Sequence, residues 1–155
     1  MSSIAQEQLE LVIQQFKELT GVYRGAVSHS GVSENEFWIW YTLTVSDEEY
    51  SQQDICLAWS LPKQTVNNII TQMVHKGYAV LEVVPDTRNR KIIQLTEQGR
   101  AYGRALVMPV LTAEERALSR LDPQELFACS RVLSTFIGFL TQEFDAIETT
   151  THDQG

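Results

Sequence analysis

Amide and hydroxyl side chains recur at helical spacing in residues 63–76. On a helical wheel, Gln64, Asn68 and Thr71 centre the face opposite the apolar residues. The flanks of this face carry three further polar residues: Thr65, Asn67 and Gln72. Asn and Gln can form paired hydrogen bonds with an adenine edge in the DNA major groove, and Thr can bond a base or touch a thymine methyl. The face therefore has the chemistry to read base pairs; the alternative is an ordinary solvated polar face.

A basic cluster follows about twenty residues later. Its members are Arg88, Asn89, Arg90 and Lys91. Arginine gains from the negative potential of a DNA minor groove, and Lys63, just before the amide-rich face, is suited to a phosphate. Asp86 in the same turn can orient an arginine through a salt bridge. A solubilising loop tip is the alternative interpretation.

Charge is segregated along the chain. Residues 62–104 hold seven basic and three acidic residues, a net charge of +4, whereas the 155-residue chain carries -8. The remainder therefore carries -12. This pattern favours a positive DNA-facing module with an acidic remainder that limits non-specific binding. The alternative is a surface of mixed charge that has no functional significance.

The elements around these clusters are signalled by local caps. Ser51 with Asp54 forms a capping box, and Gly77 is a helix stop. We expect helices at 51–59 and 63–76, then strands at 79–84 and 91–95. Helix, turn, helix and hairpin in this order are typical of a winged helix-turn-helix, whose second helix lies in the major groove and whose hairpin is the wing.

Longer apolar helices are predicted on both sides of this lobe. We expect them at 4–28, from a cap at Ser33 to about 45, from Thr96 towards 118 with a kink or break at Pro109, and from 123 onward. The predicted fold is mainly α with a small β-hairpin wing: one domain, 1–155, with a winged DNA-binding lobe at 33–96 and dimerisation helices at 4–30 and 97–147.

The terminal helices carry apolar stripes that a second copy of the chain would cover. The expected interface residues are Leu9, Val12, Phe16, Leu133, Phe136, Ile137, Leu140 and Phe144. A homodimer also places two reading helices on a palindromic site. The alternative is a monomer whose terminal helices pack on each other.

Three runs together resemble the multiple antibiotic resistance regulator (MarR) family of bacterial transcription factors. They are LPKQTVNNIITQMVHKGYAV, DTRNRK and IIQLTEQG, within residues 51–99. The resemblance implies a winged-helix dimer that binds double-stranded DNA and regulates transcription, commonly as a repressor released by a small ligand. Many members carry arginine where this chain has Asn68. The resemblance leaves open whether Arg88 or Arg90 reaches the minor groove.

Such families often hold phenolic or aromatic effectors between the dimer helices and the winged lobe. The resemblance implies the ligand candidates Tyr23, His29, Trp38 and Tyr41. The competing interpretation is that these aromatic side chains belong to the hydrophobic core. On the helical wheel, however, Phe37, Trp40 and Leu43 fit the buried face better.

Other function classes have little support. No phosphate-binding loop, nucleophile elbow or metal-ligand spacing of His29, His75 and His152 is found, so we expect no enzyme, cofactor or metal. Cys56 and Cys129 are expected to be buried thiols. Lacking a signal or membrane-span pattern, the protein is expected in the cytoplasm, at the nucleoid.

A winged-helix protein-interaction module that binds no nucleic acid is the second hypothesis. It would show apolar residues on the outward face of the second helix. Gln64, Asn68 and Thr71 argue against it.

Overall fold

The computed structural model describes the backbone of residues 3–152 and the side chains of residues 3–148. Within that range the element order is α1 (Ile4–Val27), α2 (Glu34–Val45), α3 (Gln52–Trp59), α4 (Lys63–His75), β1 (Ala79–Val83), β2 (Lys91–Leu95), α5 (Glu97–Leu118) and α6 (Pro123–His152). The expected mainly helical chain with one antiparallel hairpin is confirmed.

Serine residues begin several helices by accepting a free backbone N–H. Ser33 Oγ accepts from the Glu36 N–H at 3.2 Å, and Ser51 Oγ accepts from the Asp54 N–H at 3.2 Å. Asp54 returns the bond by accepting from the Ser51 N–H, which completes the expected capping box. At α2, the Glu36 carboxylate accepts from the Trp40 indole at 3.4 Å.

The core lies in the lobe built by α2 to α5. Trp40, Ile55, Ile70 and Val107 come from four different helices, and none of their side chains is exposed to solvent. Ile93 from β2 joins the same cluster. Burial of these apolar surfaces is the main favourable term that holds the recognition elements in place.

A glycine allows α5 to approach the hairpin closely. A Cβ at Gly99 would overlap the carbonyl group of Tyr78, the residue before β1. Thr96 reinforces this junction, since its hydroxyl donates to the Gly77 carbonyl at 2.7 Å and accepts from the Gly99 N–H at 3.0 Å. The base of the wing is thereby joined to the start of α5.

Two compact units divide the chain, one up to Thr112 and one from Ala113 onward. Helix α5 is continuous through Pro109, so the proline does not end it, although it lacks the N–H of a ladder bond. No side chain of α6 up to residue 148 is fully buried in the single chain. The division into one domain with dimerisation helices remains a prediction.

Candidate nucleic-acid interface

The turn between α3 and α4 sets the direction of the second helix. Ser60 ends α3 in the left-handed region with φ +50°, and the Leu61 N–H donates to the Cys56 carbonyl at 3.1 Å. Pro62 directly precedes α4 and provides no side-chain cap. Three residues, 60–62, thus join the two helices, which is the short connection typical of a helix-turn-helix.

Helix α4 divides into a buried face and a polar face. Val66, Ile70 and Met73 are at most 2% exposed and anchor the helix to the core. The predicted DNA-contact side chains lie elsewhere on the helix. Exposed among them are Lys63, Gln64, Asn67, Asn68, Thr71 and Gln72, while Thr65 is half-buried. The structure thus places the amide and hydroxyl groups in solvent, and their contact with DNA stays a prediction.

Two residues of this face are already bonded to each other. The Gln64 Nε2 group donates to Asn68 Oδ1 at 2.8 Å, across one turn of α4. The residues are four apart, the spacing at which helix side chains are neighbours. The two amides therefore present a joint surface.

The wing is a two-stranded antiparallel hairpin. Ala79 pairs with Leu95 at its base and Val83 with Lys91 at its far end. Asp86 and Asn89 in the connecting turn have positive φ values of +60° and +56°, which short polar side chains tolerate best after glycine. The four predicted basic-tip residues, Arg88, Asn89, Arg90 and Lys91, are all exposed.

An ion pair ties the wing to α3. Arg90 Nη2 lies 3.1 Å from Asp54 Oδ2. The backbone N–H and the hydroxyl of Ser51 hold the pKa of the Asp54 carboxyl below its usual value, and Arg90 adds to this effect. The sequence interpretation missed this partner and considered Asp86, because Asp54 lies 36 residues before Arg90.

The pairing separates the two wing arginines. Arg90 is held by Asp54, whereas Arg88 forms no ion pair within residues 3–148. Arg88 also lines a groove between the wing and the start of α3, together with Gln52 and Gln53. These two glutamines were not among the predicted site residues.

No protein-family model matches the sequence, and no curated protein matches it. Solved structures do match. A MarR family regulator from Neisseria meningitidis is 23% identical, with a TM-score of 0.71, over 88% of this chain and 97% of that chain. MepR from S. aureus, in its DNA-binding conformation, is 19% identical with a TM-score of 0.68, over 86% of this chain and 98% of that chain.

A third structure is BpsR of Bordetella bronchiseptica, whose DNA binding is regulated by 6-hydroxynicotinic acid. It is 16% identical with a TM-score of 0.59, over 86% of this chain and 95% of that chain. The chain has the MarR fold. The resemblance carried by residues 51–99 is therefore confirmed at the level of the fold.

Three of the four predicted ligand residues of this MarR fold lie together. The Trp38 ring is 5.3 Å from Tyr23 and 5.4 Å from Tyr41, both edge-on. Trp59, which was not among the candidates, stacks on Trp38 at 4.9 Å. The fourth, His29, follows the end of α1, and its Nδ1 lies 2.9 Å from the Gly25 carbonyl of that helix.

The predicted dimer residues include strongly exposed apolar side chains. Phe16 on α1 is 52% exposed, and Phe144 on α6 is 58% exposed in the single chain. Leu9, Leu133 and Ile137 are also exposed, whereas the rest of the predicted set is half-buried: Val12, Phe136 and Leu140. Exposed apolar side chains of this kind are typical of a surface that contacts another molecule.

The remaining expectations concern thiols, metals and membranes. Cys56 is half-buried and Cys129 is exposed, so the expectation of two buried thiols is wrong for Cys129. Across residues 3–148, no three His, Cys, Asp or Glu side chains are grouped to hold a metal ion; His152 lies outside this range. In the described part of the chain, no helix has the length and apolar content to cross a membrane.

Proposed function

We propose that this protein is a sequence-specific, DNA-binding transcriptional regulator of the MarR family. The observation that carries the proposal is the outward face of α4, where amide and hydroxyl groups are exposed while Val66, Ile70 and Met73 are buried. A protein-interaction module would present apolar groups there. Asn and Gln amides match base edges in the major groove, which admits an α-helix.

The wing supplies the contact with the sugar-phosphate backbone and the minor groove. Arg88 is the residue that reaches the minor groove, because Arg90 is held back by Asp54 at 3.1 Å. Lys63 and Lys91 face phosphates. The +4 charge of residues 62–104 attracts DNA, and the -12 of the remainder keeps non-specific affinity low.

The regulator acts as a homodimer on a palindromic operator. Exposed apolar residues on α1 and α6, such as Phe16 and Phe144, are covered by the partner copy around a two-fold axis. The two α4 helices then contact half-sites about one helical turn, or a multiple of it, apart. Sited at the nucleoid in the cytoplasm, the dimer represses by occupying its operator.

A small phenolic or aromatic ligand releases the repressor. The cluster of Tyr23, Trp38, Tyr41 and Trp59 supplies aromatic stacking surfaces for such a ligand, with His29 nearby in sequence. The regulation of BpsR by 6-hydroxynicotinic acid supports this class of effector. Release requires that the ligand bind the non-DNA-binding dimer more tightly.

The test is selection of duplexes from a random pool with the full chain, followed by binding titrations of the recovered site at several salt concentrations. We expect a symmetric site and a steep loss of affinity with salt. Arg88→Ala lowers the salt slope by about one ion, whereas Arg120→Ala, an exposed arginine outside the winged lobe, leaves it unchanged. A chain that binds no duplex even at low ionic strength would refute the proposal.

A further inference from the structure

Gln64 and Asn68 form the one side-chain hydrogen bond on the outward face of α4 that the described residues show. The donor is Gln64 Nε2 and the acceptor is Asn68 Oδ1, 2.8 Å apart. Asn67 and Gln72, the other predicted contact amides on α4, make no side-chain bond within residues 3–148. Asn68 is therefore the base-facing amide candidate of α4 that already has a side-chain partner before any ligand arrives.

The bond with Gln64 gives the Asn68 amide a definite orientation in the structure. An unpartnered amide rotates between two broad orientations that exchange its oxygen and nitrogen. In this bond Asn68 Oδ1 points towards Gln64 and Nδ2 points away. One lone pair of Oδ1 and both hydrogens of Nδ2 remain available.

That arrangement matches adenine and opposes guanine. Adenine presents an acceptor at N7 and a donor at N6 in the major groove, so an amide with one acceptor and one donor can pair with both. Guanine presents two acceptors, N7 and O6. An oriented Asn68 would place its oxygen against one of them.

We propose that Gln64 and Asn68 act as one adenine-reading unit, in which Asn68 contacts the base and Gln64 positions it. This inference rests on the proposed function, since it names the base pair that the α4 surface reads. Holding the amide in its bound orientation also lowers the ordering required on binding. Each half-site therefore contains an A·T pair at which guanine is rejected.

The experiment measures Kd for the recovered duplex and for every single base-pair variant of one half-site. The variants are Asn68→Ala, Gln64→Met, their combination, and Gln64→Glu. Gln64→Met keeps the length of the side chain and removes the donor. All positions are exposed, and the fold of each variant is checked by thermal unfolding.

At one A·T position we expect the wild type to prefer adenine over guanine by roughly tenfold or more, as a paired amide contact gives. Asn68→Ala abolishes that preference, and Gln64→Met reduces it at the same position. The combined variant loses no more than Asn68→Ala alone, because Gln64 acts through Asn68.

Gln64→Glu is the sharper variant. A carboxylate accepts instead of donating, so it draws Asn68 Nδ2 towards itself and reverses the amide. The added negative charge weakens binding to all duplexes alike, whereas the preference for the adenine duplex over the guanine duplex falls. His75→Ala, exposed on the last turn of α4, is the matched control and leaves this preference unchanged.

Losses at different base positions, or losses that add in the combined variant, would overturn the paired unit while DNA binding itself stands. An unchanged preference for adenine over guanine in Gln64→Glu would also overturn the paired unit. Failure of the wild-type chain to bind any duplex would overturn the proposed function and this inference with it.

Discussion

Asp54 offers the sharpest test of how the recognition lobe is held together. Its Oδ2 atom accepts from the Ser51 N–H at 2.7 Å, from the Ser51 hydroxyl at 2.7 Å and from Arg90 Nη2 at 3.1 Å. One oxygen therefore completes the capping box of α3 and anchors the wing. Asp54→Ala removes both contacts at once.

The magnitude follows from the two contacts. Loss of the Asp54 half of the capping box, with the Ser51 cap left in place, destabilises by about 0.5–1 kcal/mol. The ion pair adds about 0.5 kcal/mol or less, because the Arg90 and Asp54 side chains are 52% and 37% exposed. We expect a total of about 0.5–1.5 kcal/mol, measured by urea unfolding, with a Tm lowered by roughly 2–6 °C.

A double-mutant cycle separates the two contacts. Arg90→Ala should lose only the ion-pair part, and Asp54→Ala with Arg90→Ala should be no less stable than Asp54→Ala alone. Fully additive losses would show that Arg90 acts through another partner, and a loss below about 0.3 kcal/mol in Asp54→Ala would refute the capping argument.

The dependence of stability on acidic pH gives an independent check on the role of Asp54. Its folded pKa is lowered from the usual 3.8, so its ionised form is stabilised by folding. That contribution is fully present above about pH 4 and is lost as the pH falls through the folded pKa. The stability gap between wild type and Asp54→Asn should therefore narrow between pH 6 and pH 2; a constant gap would contradict this account.

Three further substitutions test the turn, the helix contact and the dimer. Ser60→Gly should stabilise by about 0.5–1 kcal/mol in urea unfolding, because it relieves the left-handed φ of +50°; a destabilised variant would contradict this. Gly99→Ala should destabilise by at least about 1–3 kcal/mol, since its Cβ meets the Tyr78 carbonyl group, whereas Gly25→Ala, with open space around it, should not. Ile137→Glu should weaken dimerisation at least about tenfold in analytical ultracentrifugation, because it places a charge in an apolar interface. Phe127→Glu, on an exposed residue of α6 outside the predicted set, is its control, and equal effects of the two would move the interface elsewhere.

Local signals in the sequence were sufficient for the order and approximate ends of the elements. Ser51 with Asp54 and Gly77 marked boundaries that the structure confirms, because caps and stops depend on residues within one helical turn. The burial of Ile70 opposite the exposed Asn68 likewise followed from helical periodicity. Thus the sequence by itself determined the fold class and the polar surface of α4.

Only the tertiary structure decided which distant side chains meet. Arg90 pairs with Asp54, which lies 36 residues earlier, and Trp59 stacks on Trp38, which lies 21 residues earlier. No local sequence pattern relates the two members of either pair. The Gln64 to Asn68 bond is local in spacing, yet its direction depends on side-chain orientations that periodicity does not encode. These contacts depend on how the helices and the wing pack around a common core. The structure therefore distinguishes Arg90, which pairs with Asp54, from Arg88. Residue types alone left either arginine as the candidate for the minor groove.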